Sequence, residues 1–288
     1  MNIDEAQHAD PNKNSQPSQS AGFWLSRIFR KSVRDQIRYK QLLSMLGNNP
    51  SAEHGLVIGG SSALIDQLLR LPGMWYCAID DTLLPPPPAS IPDPRIIPFT
   101  DLEIPVKDEQ FDCIILIDVL EVIDEDRTFI AECHRTLKKD GKLLIFSQYK
   151  KKYSLLYPLR TLLRIKPVYA RMERDGYDTA LMFDLLKDGF DVSEVRCFSR
   201  FFFESTNLFS RYLEKWLLPE PASYASRYRF MQWTHLFEWM ASGMDRLIFF
   251  TRGFTISAHA KKRIWRSRTP PKLSDGRSIA EATLGGKI

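Results

Sequence analysis

Cysteine is scarce in this chain: four among 288 residues (Cys77, Cys113, Cys133, Cys197), far apart and with no C-x-x-C pair. Five scattered histidines add no ligand spacing, so a structural or catalytic metal is not expected, and the cysteines read as free thiols of a reducing compartment. No run approaches the roughly 20 uncharged apolar residues of a bilayer span. The opening "MNIDEAQHADPNKNSQPSQS" lacks the apolar centre of a signal peptide and reads as a disordered leader. Charge of one sign is nearly absent in net terms, +5, which by itself does not argue for nucleic acid, and no recognition module is visible.

What is present is an ordinary apolar content, 44%, enough for a full core. "GFWLSRIFRKSVRDQIRYKQLLSML" reads as a basic amphipathic helix over 22–50, with Leu25, Ile28 and Phe29 on one face and Arg27, Arg30 and Lys31 roughly opposite. From Ser51 onward short apolar runs alternate with helical ones. The strand candidates are 55–59, 75–79, 95–99, 111–117 and 141–147. Between the last two, Asp124 or Asp126 can cap a helix whose face is Phe129, Ile130, Cys133 and Leu137. Lys138 and Lys139 are expected at its C-terminus and Gly141 at its stop. Continuously apolar strands separated by helices imply a sheet covered on both sides, hence a mainly parallel, doubly wound α/β fold that binds ligands beyond the strands' C-terminal ends.

Glycine is also sparse where it matters. "HGLVIGGSSALIDQLL" has the layout of strand, small-residue turn and helix, but only Gly59 and Gly60 follow the strand, so it is not the G-x-G-x-x-G of a dinucleotide-binding loop. A further oddity is "DDTLLPPPPASIPDP" over 80–94, where a proline-rich spacer replaces an expected crossover helix.

The stretch "DLEIPVKDEQFDCIILIDVLEVIDEDRTFIAECHRTLKKDGKLLIF", residues 101–146, resembles the class I S-adenosylmethionine (SAM)-dependent methyltransferases of the methyltransferase domain 11 type, in order and spacing of its motifs. The resemblance covers 54 to about 148 firmly and about 177 to 262 loosely. It implies a Rossmann-like seven-stranded sheet with an antiparallel last strand, added C-terminal helices, and SAM as cofactor. Its cofactor-binding positions fall here on Gly59, Gly60 and Ser61 in the turn, Asp80 or Asp81 for the ribose hydroxyls, Asp101 with Leu102 for the adenine, and Asp118 beside the transferred methyl. Asp118 and Glu121 are the candidate catalytic bases, by position only. His134 reads as a surface or packing residue.

The sequence departs from the family at Val57, Ser61, Ala63, Val122 and the "DGK" turn. If Ala63 needed a positive φ, the strain would be about 1–2 kcal/mol, roughly tenfold in cofactor affinity. A degenerate methyltransferase fold acting as a binding or scaffold module is the competing reading.

The expected domain organisation is a leader (1–21), the N-terminal helix (22–50), a methyltransferase domain (51–263) and a basic tail (264–288). Within that domain a core (51–150) carries helical lid insertions over 151–178 and 200–250. The aromatic cluster of the second lid reads mostly as helix-to-helix core, yet suits an apolar acceptor: a small molecule, lipid or glycan. Aromatics paired with cations in the N-terminal helix suit an anionic membrane surface, giving a cytoplasmic protein with a peripheral inner-membrane option.

Overall fold

A computed structural model describes residues 17–47, 52–80, 95–100, 102–150, 176–218, 222–248 and 251–266. In chain order these form α1 (Pro17–Lys31), α2 (Val33–Leu46), β1 (Ala52–Gly59), α3 (Ser62–Leu68), β2 (Gly73–Ile79), β3 (Ile96–Pro98), β4 (Phe111–Ile117) and α4 (Asp126–Thr136). There follow β5 (Leu137–Gln148), α5 (Thr179–Leu186), β6 (Phe190–Phe198), α6 (Phe201–Leu217), α7 (Tyr224–Met244) and β7 (Thr255–Lys262). The strands make one seven-stranded sheet in the order β3-β2-β1-β4-β5-β7-β6. The first five in that order pair in parallel, and β7 pairs antiparallel with both β5 and β6. This is the doubly wound α/β architecture expected from the alternation of apolar strands with helices.

The two-residue period of the strands divides the core between the sheet's faces. Leu56 and Ile58 of β1, Ile114 and Leu116 of β4, and Leu143 and Ile145 of β5 pack with Phe129, Ile130 and Cys133 of α4 and Met182, Leu185 and Leu186 of α5. The intervening Val57, Ile115, Ile117, Leu144 and Phe146 pack on the other face with Leu42 and Met45 of α2 and Leu64 and Leu68 of α3. Both faces being covered explains why these strands read as unbroken apolar runs.

Several boundaries move. The N-terminal helical region is two helices, the first beginning at Pro17, inside the segment expected as leader. Ser32 ends continuity: its backbone is extended and its hydroxyl accepts from the Asp35 N–H at 3.3 Å, capping α2. The helix over 126–136 stops at Thr136, whose hydroxyl donates back to the carbonyls of Glu132 and Cys133, and Leu137 is already extended. Lys138, Lys139 and Gly141 therefore belong to β5 rather than to a helix terminus. The proline-rich spacer over 81–94 and the first lid segment over 151–175 lie outside the described residues.

His134 is a packing residue, as expected, edge-on to Phe190 and Trp265 with Nε2 at 2.7 Å from the Arg263 carbonyl. The thiols of Cys77 and Cys113 are buried, and burial pushes both up to about 12, so neither is a nucleophile near neutrality. Among the described residues no cluster of His, Cys, Asp or Glu could hold a metal ion, and no helix is long and apolar enough to cross a membrane.

Candidate functional site

The site gathers at the C-terminal ends of β1, β2 and β4, where a sheet of this topology binds ligands. β1 runs into Gly59 (φ 76°) and Gly60 (φ 96°), both in the left-handed region that glycine alone enters without penalty. A Cβ on Gly59 would fall inside contact distance of the Ile117 carbonyl and Val119 Cγ2, so the turn is closed against the next strand and no side chain fits. Ser61 is the N-cap of α3, its hydroxyl accepting from the Leu64 N–H at 3.2 Å. The positions that looked like lost glycines need no positive φ: Ser61 is extended, and Ala63 sits in the first turn of α3, packed with Leu25 and Ile28. The strain considered for Ala63 is therefore absent, and the two glycines present stand at the two positions that require them.

Asp80 follows β2 and is buried. Asp81 and Asp101 lie outside the described residues. Leu102 is half-buried in a left-handed conformation (φ 64°). Asp118 follows β4, also left-handed (φ 53°), with its N–H donating to the Phe146 carbonyl at 2.8 Å. The residue is almost completely buried, and its side chain is gripped by Arg38 of α2, at 2.7 Å to one carboxylate oxygen and 2.8 Å to the other. Arg34, one turn earlier, stands 3.7 Å away. Burial opposes ionisation of Asp118, but the charges of Arg38 and Arg34 outweigh it, with a smaller contribution from Arg211 of α6, and hold its carboxyl below the ordinary value.

Glu121, one turn downstream, behaves oppositely. It is fully buried; the Ser147 hydroxyl donates to its Oε1 at 2.7 Å and the Gln148 N–H donates to the same atom. Its Oε2 has no hydrogen-bond partner among the described residues. Burial, then the neighbouring Asp118 charge, push the carboxyl up to about 7, against the two donors that hold it down. Two carboxyls a turn apart thus take different protonation states near neutrality, Asp118 ionised and Glu121 poised to exchange a proton.

Above this pair lies a roof from the added helices. Asp35 of α2 accepts a 2.8 Å hydrogen bond from the Ser61 hydroxyl, tying α2 to the glycine turn. Glu238 of α7 accepts from Ser210 and Thr234, and it feels the charges of Asp35 and Arg34; burial raises its carboxyl. Arg34, Asp35, Arg38, Arg211 and Glu238 were not singled out from the sequence. One signal for Arg38 exists: it lies on the same helical stripe as the buried Asp35, Leu42 and Met45, and a buried guanidinium requires a carboxylate partner.

The residues fit SAM in kind. The turn offers a backbone without side chains, and the carboxylates Asp80, Asp118 and Glu121 suit a ligand that brings hydroxyl and amino donors and a positive sulfonium. The buried Oε2 of Glu121 is an acceptor whose donor the described residues do not supply.

Comparison with known proteins agrees. Residues 88–145 match the family model described as "Methyltransferase domain". The matched span takes in Asp118 and Glu121 and leaves the glycine turn outside. No curated protein matches the chain. Among solved structures, phosphoethanolamine N-methyltransferase 2 of Haemonchus contortus, in complex with SAM, is 14% identical with a TM-score of 0.51, covering 87% of this chain and 58% of its own. A SAM-dependent methyltransferase from Thermotoga maritima is 16% identical with a TM-score of 0.47, covering 85% and 95% respectively.

The fold is that of the class I methyltransferases. Residues 88–145 carry the match to a methyltransferase domain, and S-adenosylmethionine is the ligand of the Haemonchus contortus neighbour that shares the fold.

Proposed function

We propose that the protein transfers the methyl group of SAM to an apolar or amphiphilic acceptor of the lipid class, at the cytoplasmic side of a membrane. The observation that carries the acceptor class is a cavity of about 840 Å³ between α6 and α7, walled by residues such as Phe202, Phe209, Leu213, Phe230, Trp233 and Phe237. A volume of that size suits a small ligand, and one so apolar disfavours a sugar or a charged metabolite along its length. Its few polar wall atoms include the hydroxyls of Ser210 and Thr234, the donors to Glu238, which in turn neighbours Arg34. The groove therefore backs onto the polar roof over Asp118 and Glu121. Apolar substance would lie between the helices, with its polar end toward the arginines.

Methyl transfer from a sulfonium has a good leaving group, so the work of the protein is to hold donor and acceptor in line and keep water out. In this reading the Gly59–Ser61 turn and Asp80 hold the cofactor, α2 covers it, and Glu121 takes the proton of a hydroxyl acceptor. Asp118, locked to Arg38, fixes α2 over the site and keeps the field around Glu121 negative.

The test supplies SAM labelled in its methyl group to the purified protein with envelope lipid extract, with neutral glycans, or with soluble metabolites. Label is expected in the organic phase, at a rate rising through pH about 7 as Glu121 ionises. Label confined to water-soluble products removes the lipid reading.

A further inference from the structure

We infer that the α6–α7 pair is a membrane-docking surface for an anionic lipid bilayer. The expected docking element was the N-terminal helix. In the structure the apolar stripe of α1 (Ala21, Leu25, Ile28) is buried, Leu25 and Ile28 packing with Ala63 of α3 and Tyr228 and Met231 of α7, so that stripe is not on offer. Among the described residues the exposed apolar surface lies elsewhere. Trp233 is 83% exposed and Trp216 73%, and around them Phe209, Phe237, Trp239 and Leu247 are all exposed by more than half.

On α7 and the turn after it, the exposed Trp233, Leu236, Phe237, Met240, Met244 and Leu247 recur at helical spacing and form one broad face. Three of the chain's six tryptophans (Trp216, Trp233, Trp239) stand on this surface, a residue type that settles where apolar tails meet headgroups. An area of this kind exceeds the scattered apolar residues normal on a soluble surface.

Charge selects the occupant. Among the described residues of 201–248, every exposed charged side chain is a cation: Lys215, Arg227, Arg229 and Arg246. The acids of this region are withdrawn: Glu204 and Asp245 are buried, Glu238 lies half-buried on the roof side, and Glu214 is paired with Arg227 at 3.3 Å. Apolar aromatics bordered by Lys215, Arg229 and Arg246, with the Arg227–Glu214 pair neutral, match the headgroup and acyl layers of a bilayer carrying negative lipid. A second copy of the chain fits poorly, since a two-fold contact sets the same patch against itself and would face these cations with one another, with no exposed acid opposite. The chain's own residues 151–175, rich in lysine and arginine, would meet the same repulsion.

This inference does not depend on the acceptor's identity, because binding is read without cofactor or turnover. Full-length protein is floated with vesicles of mixed phosphatidylglycerol and phosphatidylcholine and with phosphatidylcholine alone, while tryptophan emission is recorded. The expected result is flotation with the anionic vesicles and a blue shift. The triple variant Trp216→Ser/Trp239→Ser/Leu247→Ser, changed only at exposed positions outside the cavity wall, should lose at least tenfold in vesicle affinity. Lys215→Glu and Arg246→Glu should each weaken it by about fivefold or more. A Phe23→Ser/Arg27→Gln variant on α1 should bind as the parent does. Failure of the parent to float, unchanged binding by the triple variant, or loss only in the α1 variant would overturn the inference. So would sedimentation showing a dimer that the triple variant abolishes.

Discussion

The tie between α2 and the sheet rests on one ion pair, and replacing Arg38 by methionine measures it. Both partners are almost completely buried, with side-chain exposures of 4% and 2%, and the contact is bidentate at 2.7 and 2.8 Å. Methionine keeps most of the apolar stem but leaves Asp118 as a buried carboxylate. Breaking such a pair costs about 3–5 kcal/mol, far more than a surface pair, because the remaining charge is desolvated without compensation. Arg34 remains at 3.7 Å and offsets part of this, which places the expected loss near the low end, about 3 kcal/mol. For a domain of this size that is a fall in Tm of about 6–12 °C.

The pH dependence carries a second signature. In the parent the depressed Asp118 carboxyl contributes stability above its unfolded value, and that contribution is lost as pH falls through the folded value. Arg38→Met removes the contribution, so the gap between parent and variant is widest near pH 8 and narrows toward acid as Asp118 protonates. Thermal unfolding followed by circular dichroism at both ends of that range reads it. Adding Asp118→Asn, a neutral residue that tolerates the left-handed backbone at φ 53°, should restore most of the loss. An Arg38→Met protein within about 1 kcal/mol of the parent at pH 8, with no pH-dependent gap, would refute the ion-pair reasoning.

Glu121→Gln tests the other carboxyl. Because burial raises Glu121 to about 7, the parent loses stability as pH climbs from the ordinary carboxylate range to about 7. The glutamine should remove that loss, on the order of 2–3 kcal/mol in the difference between pH 5 and pH 8 denaturant midpoints; parallel pH curves for parent and variant would count against it. Gly59→Ala should cost the strain of a left-handed alanine, about 1–2 kcal/mol, and further displace the turn from Ile117 and Val119, lowering SAM affinity more than tenfold. Gly47→Ala provides the contrast: its φ is 84° but nothing lies within 4 Å of the added methyl, so Tm falls slightly and cofactor affinity stays.

The sheet was legible because its strands carry their own period. Leu56 and Ile58 face one layer and Val57 the other, and that alternation of two buried faces writes continuous apolar runs into the sequence. Gly59, Gly60, Ser61, Asp80, Asp118 and Glu121 were assigned from the family resemblance, and the structure sets them at or just beyond the C-terminal ends of β1, β2 and β4, where a sheet of this topology binds ligands. What sequence reasoning missed acts across long chain separations. Arg38 meets Asp118 across 80 residues, and Ser61 meets Asp35 across 26; neither pairing leaves a local pattern. The end of α4 was misjudged, because the backbone is already extended at Leu137, well before the glycine read as the stop. The lid aromatics were read as core because size and apolarity are all that sequence offers, whereas Phe201, Phe209, Trp216, Trp233, Phe237 and Trp239 face outward and only Phe203 of that group is fully enclosed. The N-terminal helix was read as a candidate for lipid contact, and its apolar stripe proves to be packed on α3 and α7.

The central claim is that the two-glycine turn of this methyltransferase fold holds SAM, and calorimetric titration of the full chain with SAM and with its demethylated product tests it most directly. Micromolar binding of both, lost in Gly59→Ala and kept in Gly47→Ala, is the predicted result. A folded parent protein that takes up neither ligand at millimolar concentration would contradict it.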